Sequence, residues 1–115
     1  MILIEYPKCS TCKKAKKFLL DNNVEFTTRD IVLDKLNEEE IDKFIKLSKK
    51  DVNKFFNTSG IKYRELNLKE KIKNITYEEK IKILSSDGML IKRPLLIKDD
   101  TVLIGFKENE WKENI

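Results

Sequence analysis

The chain has 115 residues, 40% of them apolar, with 24 basic and 20 acidic side chains, two cysteines and no histidine. That length and apolar share suit one domain, 1–115, with one modest core, and the net charge of +4 is interleaved, as in Glu38-Glu39-Glu40…Lys43 and Lys69-Glu70-Lys71, rather than gathered into a block. No run approaches the roughly 20 apolar residues of a membrane span, the first seven residues lack a secretory signal's basic and long apolar regions, and no basic patch interleaves aromatics as single-strand readers do. Membrane insertion, secretion and direct nucleic-acid binding are therefore disfavoured, and a cytoplasmic monomer is expected.

Residues 2–6 form a short apolar run that reads as a first strand, ended by Pro7, which removes a backbone donor and fixes φ. From Thr11, the residues Ala15, Phe18 and Leu19 recur at helical spacing with lysines between them until Asp21-Asn22-Asn23 supplies a stop. Val24 to Arg29 alternates Val24 and Phe26 with polar partners and continues to Ile31-Val32, predicting a second strand.

Asn37-Glu38-Glu39-Glu40 resembles a helix start with acidic residues at the positive end of the dipole, followed by Ile41, Phe44, Ile45 and Leu47 on one face. A helical region continues in pieces through Val52-Phe55-Phe56, Tyr63-Leu66-Leu68 and Ile81-Ile83-Leu84. Asn57-Thr58-Ser59-Gly60 breaks it and Ser86-Asp87-Gly88 closes it. Leu95-Leu96-Ile97 and Thr101-Val102-Leu103-Ile104 predict an antiparallel hairpin ended by Gly105, and Phe106 and Trp111 predict a terminal helix packed on the sheet. The order β-α-β, helices, β-β-α gives an α/β fold: a mixed sheet of about four strands with helices on its faces.

The sequence Cys9-Ser10-Thr11-Cys12 stands between the first strand and the first helix. There the first sulfur meets free N–H groups and the helix dipole, which favour a thiolate. Lys8, Lys13 and Lys14 add positive charge, so Cys9 is the expected nucleophile and Cys12, one turn in, the less exposed resolving thiol. A structural zinc site normally needs four Cys or His ligands, and this chain has two cysteines and no histidine. The missing histidine also removes Cys-His catalysis of the protease type, leaving electrostatics to activate the thiol.

Three motifs together, Tyr6-Pro7-x-Cys9-Ser-Thr-Cys12-Lys-Lys-Ala15, Lys92-Arg93-Pro94-Leu95 and Gly105-Phe106-Lys107, resemble the arsenate reductase (ArsC)/Spx family over essentially the whole chain. The resemblance implies a thioredoxin-like fold, with a four-stranded mixed sheet and a helical insertion between strands two and three at about residues 37–86. It makes Cys9 the nucleophile, Pro94 a cis-proline beside it and Arg93 the preceding arginine, whose fork of donors would hold an oxyanion or thiolate. Arg64 resembles a second oxyanion-binding arginine. Lys107 stands nearest the third by position, and offers a point charge instead of a fork. Further substrate contacts are expected from Lys8, Ser10, Thr11 and Pro94.

These features imply a thiol oxidoreductase with no bound cofactor or metal. In it the Cys9 thiolate attacks arsenate or a disulfide, Cys12 resolves the adduct, and thioredoxin or glutathione/glutaredoxin supplies the electrons. The same resemblance allows an alternative, an Spx-like redox-switched regulator that binds the RNA polymerase α subunit. Those regulators carry a glycine in the helical region where Asp51 stands here.

Overall fold

Adjacent pairs of apolar residues set the architecture. In the computed structural model, which describes residues 1–115, Leu3-Ile4, Leu95-Leu96 and Val102-Leu103 lie on three neighbouring strands. Successive strand side chains point to opposite faces, so each pair supplies both sides of one sheet. The strands are β1 (Ile2–Glu5), β2 (Thr27–Asp30), β3 (Leu95–Lys98) and β4 (Thr101–Ile104), in the spatial order β2-β1-β3-β4. β1 runs parallel to β2 and antiparallel to β3, and β3 is antiparallel to β4. The register pairs Leu3 with Leu96 and Leu96 with Leu103, aligning one face, while Ile4 opposite Leu95 and Ile97 opposite Val102 align the other.

Helices α1 (Ser10–Asp21) and α6 (Glu108–Asn114) cover the first face, where Ala15, Leu19 and Trp111 join Leu3, Leu96 and Leu103 in a cluster of 6 buried residues. The opposite face carries a cluster of 17 buried residues, most of them from the segment between β2 and β3. That segment comprises α2 (Glu38–Ser48), a 3-10 turn (Val52–Phe55), α3 (Ile61–Glu65), α4 (Leu68–Lys71), α5 (Tyr77–Ser86) and a second 3-10 turn (Gly88–Leu90). The helical block thus runs a few residues past the expected end at 86. No helix is long and apolar enough to cross a membrane.

Local chemistry explains the block's boundaries. Asn37 Oδ1 accepts the Glu40 N–H at 2.8 Å and Glu40 Oε1 accepts the Asn37 N–H at 3.1 Å, a capping box that starts α2. Arg29 of β2 also donates to the Glu40 carboxylate, which fastens the start of α2 to the edge of the sheet. Hydrogen bonding from Arg29 holds the Glu40 carboxyl below its ordinary range. The Tyr77 hydroxyl donates to Asp42 at 2.6 Å and so links α5 to α2. Gly88 passes so close to the end of β2 that an added Cβ would lie 2.1 Å from the Ile31 carbonyl oxygen, which requires glycine there.

The second strand is shorter than its alternation predicts. Val24 and Phe26 precede it and pack, partly buried, against the six-residue cluster. The reversal at Asn23, with φ of 57°, sends the chain under α1 before pairing begins. Asp30 then ends the strand, because its Oδ1 accepts the N–H groups of Val32 and Leu33 at 2.8 and 3.0 Å and turns the chain. Ile31 is buried in the larger cluster, and Val32 is exposed.

Candidate active site

The turn after β1 delivers the first cysteine to the start of α1. The Cys9 N–H donates to the Tyr6 carbonyl at 2.9 Å, and Cys9 itself is the N-cap of α1, with φ of −83° and ψ of 122°. Its sulfur takes the capping role that Ser or Asp commonly fills and accepts the Cys12 N–H at 3.4 Å. Both cysteines are free thiols, Cys9 half-buried and Cys12 fully buried.

Their environments drive the two thiols apart. Partial burial raises the Cys9 pKa, but the thiol and N–H of Cys12 together with the Arg93 guanidinium outweigh it, so the Cys9 thiol lies below its ordinary range. Burial, reinforced by the neighbouring Cys9 sulfur, pushes the Cys12 thiol up to about 12. The pair is therefore asymmetric: the accessible sulfur ionises more readily than an ordinary thiol, and the buried one holds its proton.

Arg93 is brought in from the far side of the insertion. The Arg93–Pro94 peptide bond is cis, and the segment leading to it is tied to the helical block by the Lys92 N–H donating to Phe55 O at 2.7 Å and the Asn57 N–H donating to Leu90 O at 2.8 Å. The guanidinium carbon lies 5.5 Å from the centroid of the Tyr6 ring, within cation–π range, and Nη1 donates weakly to Met89 Sδ at 3.8 Å. Arg93 Nε is buried and has no hydrogen-bond partner in the protein. An unpaired buried donor costs on the order of 1–3 kcal/mol, and here it belongs to a cationic group beside the Cys9 sulfur.

Cys9 and Arg93 open into a cavity of about 700 Å³. Lys62, Lys92 and Lys107 add positive charge to its lining, against the single carboxylate of Glu65. The wall formed by Gly105 and Phe106 is held from behind. The Gly105 N–H donates to Pro94 O at 2.8 Å, the Trp111 indole N–H donates to Gly105 O at 3.0 Å, and the Phe106 ring meets Trp111 edge-on at 5.0 Å. Gly105 adopts φ of +69°, which favours glycine.

Of the residues singled out in the sequence, Cys9, Thr11, Arg93 and Lys107 line this cavity. Cys12 lies behind Cys9, and Pro94 is buried with its carbonyl engaged by Gly105. Lys8 and Ser10 are exposed and outside the lining, because Lys8 sits in the preceding turn and Ser10 begins the helix on its solvent side. Arg64 does not reach the cavity. It is exposed on α3 and its Nη2 donates to Ser59 O at 3.2 Å, while its helix neighbours Lys62 and Glu65 take the lining positions. Asn57, Met89, Lys62 and Lys92 are among the lining residues that sequence reasoning did not assign to the site. Lys92 stood inside a recognised motif, whereas Asn57 and Met89 carried no local signal. No group of three or more His, Cys, Asp or Glu side chains is placed to hold a metal ion.

A half-buried thiol of lowered pKa one turn before a fully buried one, with an arginine at its side, can attack an electrophilic centre and be released by its neighbour. The chain is 49% identical over 109 residues to the uncharacterized protein YusI of Bacillus subtilis (strain 168), covering 95% of this chain and 92% of that one. It is 26% identical over 108 residues to the global transcriptional regulator Spx 1 of Bacillus cereus, covering 94% and 81%. Its fold superposes on the crystal structure of an ArsC-family-related protein of Bacteroides fragilis with a TM-score of 0.95 and 49% identity, covering 97% and 94% of the two chains. The thioredoxin-like fold expected from the motifs is therefore the fold observed. With the ArsC family model matching residues 4–114, from the first strand through the terminal helix, the chain belongs to the ArsC family.

Proposed function

We propose that the protein is a thiol oxidoreductase in which Cys9 is the nucleophile, Cys12 the resolving thiol and Arg93 the group that stabilises the Cys9 thiolate and any anion bound to it. The observation that carries this reading is the asymmetry of the two thiols, with Cys9 lowered beside Arg93 and Cys12 raised to about 12. In the first step the Cys9 thiolate attacks a substrate disulfide, forming a mixed disulfide and expelling the other sulfur as thiolate. In the second, Cys12 loses its proton and displaces the substrate sulfur, leaving a Cys9–Cys12 disulfide and a reduced substrate. Thioredoxin or glutathione with glutaredoxin then restores the dithiol.

Arsenate is the alternative substrate of the same pair. Its reduction to arsenite takes the same two electrons, with the Cys9–Cys12 disulfide as the oxidised product. Disulfides are favoured because Arg93 is the one arginine in the cavity lining, and Lys62, Lys92 and Lys107 offer point charges where bidentate oxyanion recognition would use guanidinium forks.

The deciding experiment follows NADPH consumption by the reduced protein and its Cys9→Ser variant. Each is coupled to thioredoxin or to glutathione/glutaredoxin, with a small disulfide or arsenate as substrate. Turnover that vanishes in Cys9→Ser is expected, and the system that supports it names the reductant. Equal turnover by Cys9→Ser would refute the assignment. A second reading, a redox switch controlling contact with the RNA polymerase α subunit, is supported by the similarity to Spx 1. Binding of that subunit by the oxidised protein alone, with no turnover in either coupled system, would replace the enzymatic reading by this one.

A further inference from the structure

β4 is an outer strand of the sheet, so one row of its backbone N–H and C=O groups has no neighbouring strand. Beside it lies a groove of about 510 Å³ lined by every residue from 100 to 104. Consecutive strand residues point to opposite faces, so a groove that touches all of them must run along the strand's edge. One wall comes from the end of α2 and the turn after it, with Lys49, Lys50 and Lys54, and the other from α6, with Glu110 and Asn114. Lys92 and Lys107 line both this groove and the Cys9 cavity, so the two are adjacent.

The charge of the groove selects its occupant. Five lysines face two carboxylates, Asp100 and Glu110, and none of the five is engaged in an ion pair. A second copy of this chain would bring the same lysines to the edge and be repelled. No lining residue is aromatic, so the groove lacks the stacking platform that single-stranded nucleic acids use. An extended polypeptide with acidic side chains satisfies both features, pairing its backbone with the β4 edge and its carboxylates with the lysines.

We propose that the β4 groove binds an acidic extended segment of a protein substrate, added to the sheet as a further strand, and thereby presents that substrate's disulfide to Cys9. The proposal rests on the thiol-exchange reading for its second half only. The groove sets which protein is attacked, and the chemistry at Cys9 is the exchange already described.

The test separates the two halves. A short cysteine-free peptide of alternating Glu and Thr is titrated into the full-length reduced protein, with amide resonances as the readout. Shifts concentrated at residues 100–104 are expected, with affinity falling as salt rises. The triple variant Lys49→Glu/Lys50→Glu/Lys54→Glu, made at exposed positions outside the Cys9 cavity, should bind about tenfold more weakly or worse, and should instead take up a Lys/Thr peptide. Four outcomes would each overturn the groove assignment: shifts elsewhere, equal binding of a Gln/Thr peptide, unchanged affinity in the variant, or displacement by an equally charged oligothymidylate at equal concentration.

In the second arm the same peptides carry a terminal cysteine as a mixed disulfide with thionitrobenzoate, and the release of that coloured thiolate by Cys9 is timed in the Cys12→Ser background. The Glu/Thr peptide should react about tenfold faster than the Gln/Thr peptide, an advantage lost on adding the triple substitution, while a small disulfide reacts equally with both backgrounds. Binding without a rate advantage would overturn the link between groove and Cys9. Failure of Cys9 to react with any disulfide would refute thiol exchange, and the cysteine-free arm would still decide the groove.

Discussion

The two faces of the sheet are built on different scales, 17 buried residues under the helical block against 6 under α1 and α6, and the reactive cysteines begin the helix on the smaller side. The larger core holds together short helices that could not persist alone, since isolated helices of less than about 12–15 residues are marginal in water. The smaller core supports one wall of the site. Trp111, fully buried, fastens the Gly105–Phe106 wall of the Cys9 cavity through its indole N–H and its edge-on contact with Phe106. Most of the burial thus lies on one face while the Gly105–Phe106 wall of the cavity is held from the other, and substitutions on each should show different signatures.

The largest expected effect is that of Trp111→Ala, which removes a fully buried ring and should cost about 3–5 kcal/mol in urea denaturation. It should also change the alkylation of Cys9 by iodoacetamide, because the cavity wall loses its support. Leu84→Ala, in the larger core on α5, should cost about 2–5 kcal/mol and leave the pH profile of Cys9 alkylation where it was. A shift of that profile in Leu84→Ala equal to the one in Trp111→Ala would erase the distinction between the faces.

Arg93→Met should have an intermediate effect and a specific one. It removes the cation that favours the Cys9 thiolate, so the alkylation profile should move to higher pH and the rate at neutral pH should fall severalfold. It also deletes the buried unpaired Nε, so denaturation should show little loss of stability or a small gain. An unmoved profile would remove Arg93 from the activation of Cys9.

The smallest effect concerns Cys12. Its thiol titrates higher in the folded protein, at about 12, than in the unfolded chain, so its contribution to stability is fully present below the unfolded pKa of about 8.5 and is lost as pH rises toward 12. The slope from this one proton cannot exceed about 1.4 kcal/mol per pH unit. The stability difference between wild type and Cys12→Ala, measured in reducing buffer at pH 7, 9 and 10, should therefore shrink with rising pH. A constant difference would mean that Cys12 is not held neutral by the fold.

The sequence carried the fold wherever local chemistry agreed with tertiary demand. The hairpin at 95–104, the stop at 57–60, the capped start at Asn37 and the helix after Cys9 all lie where periodicity and capping residues put them. The second strand is the instructive exception. Val24 and Phe26 alternate as strand residues should, yet they are used to pack under α1, and pairing begins only at Thr27. Alternation reports which side chains are buried, and it does not distinguish a strand from an extended segment pressed against a core.

The site divides along the same line. The position of Cys9 as a helix-capping thiol follows from residue types at short spacing, where geometry is local, whereas Arg93-Pro94 is expected beside it only from the family resemblance. Which cations surround the sulfur does not follow from spacing. Arg64 and Lys62 stand two residues apart on one short helix, about 100° per residue around its axis, and only the packing of α3 turned Lys62 toward the cavity and Arg64 away. The cavity wall at Asn57 and Met89 and the groove along β4 bring together residues distant in sequence. Chain order therefore determined which thiol caps the first helix and the elements that carry it. Tertiary packing decided the charge that surrounds it, because a helix only fixes the angles between its own side chains and its neighbours fix where those angles point.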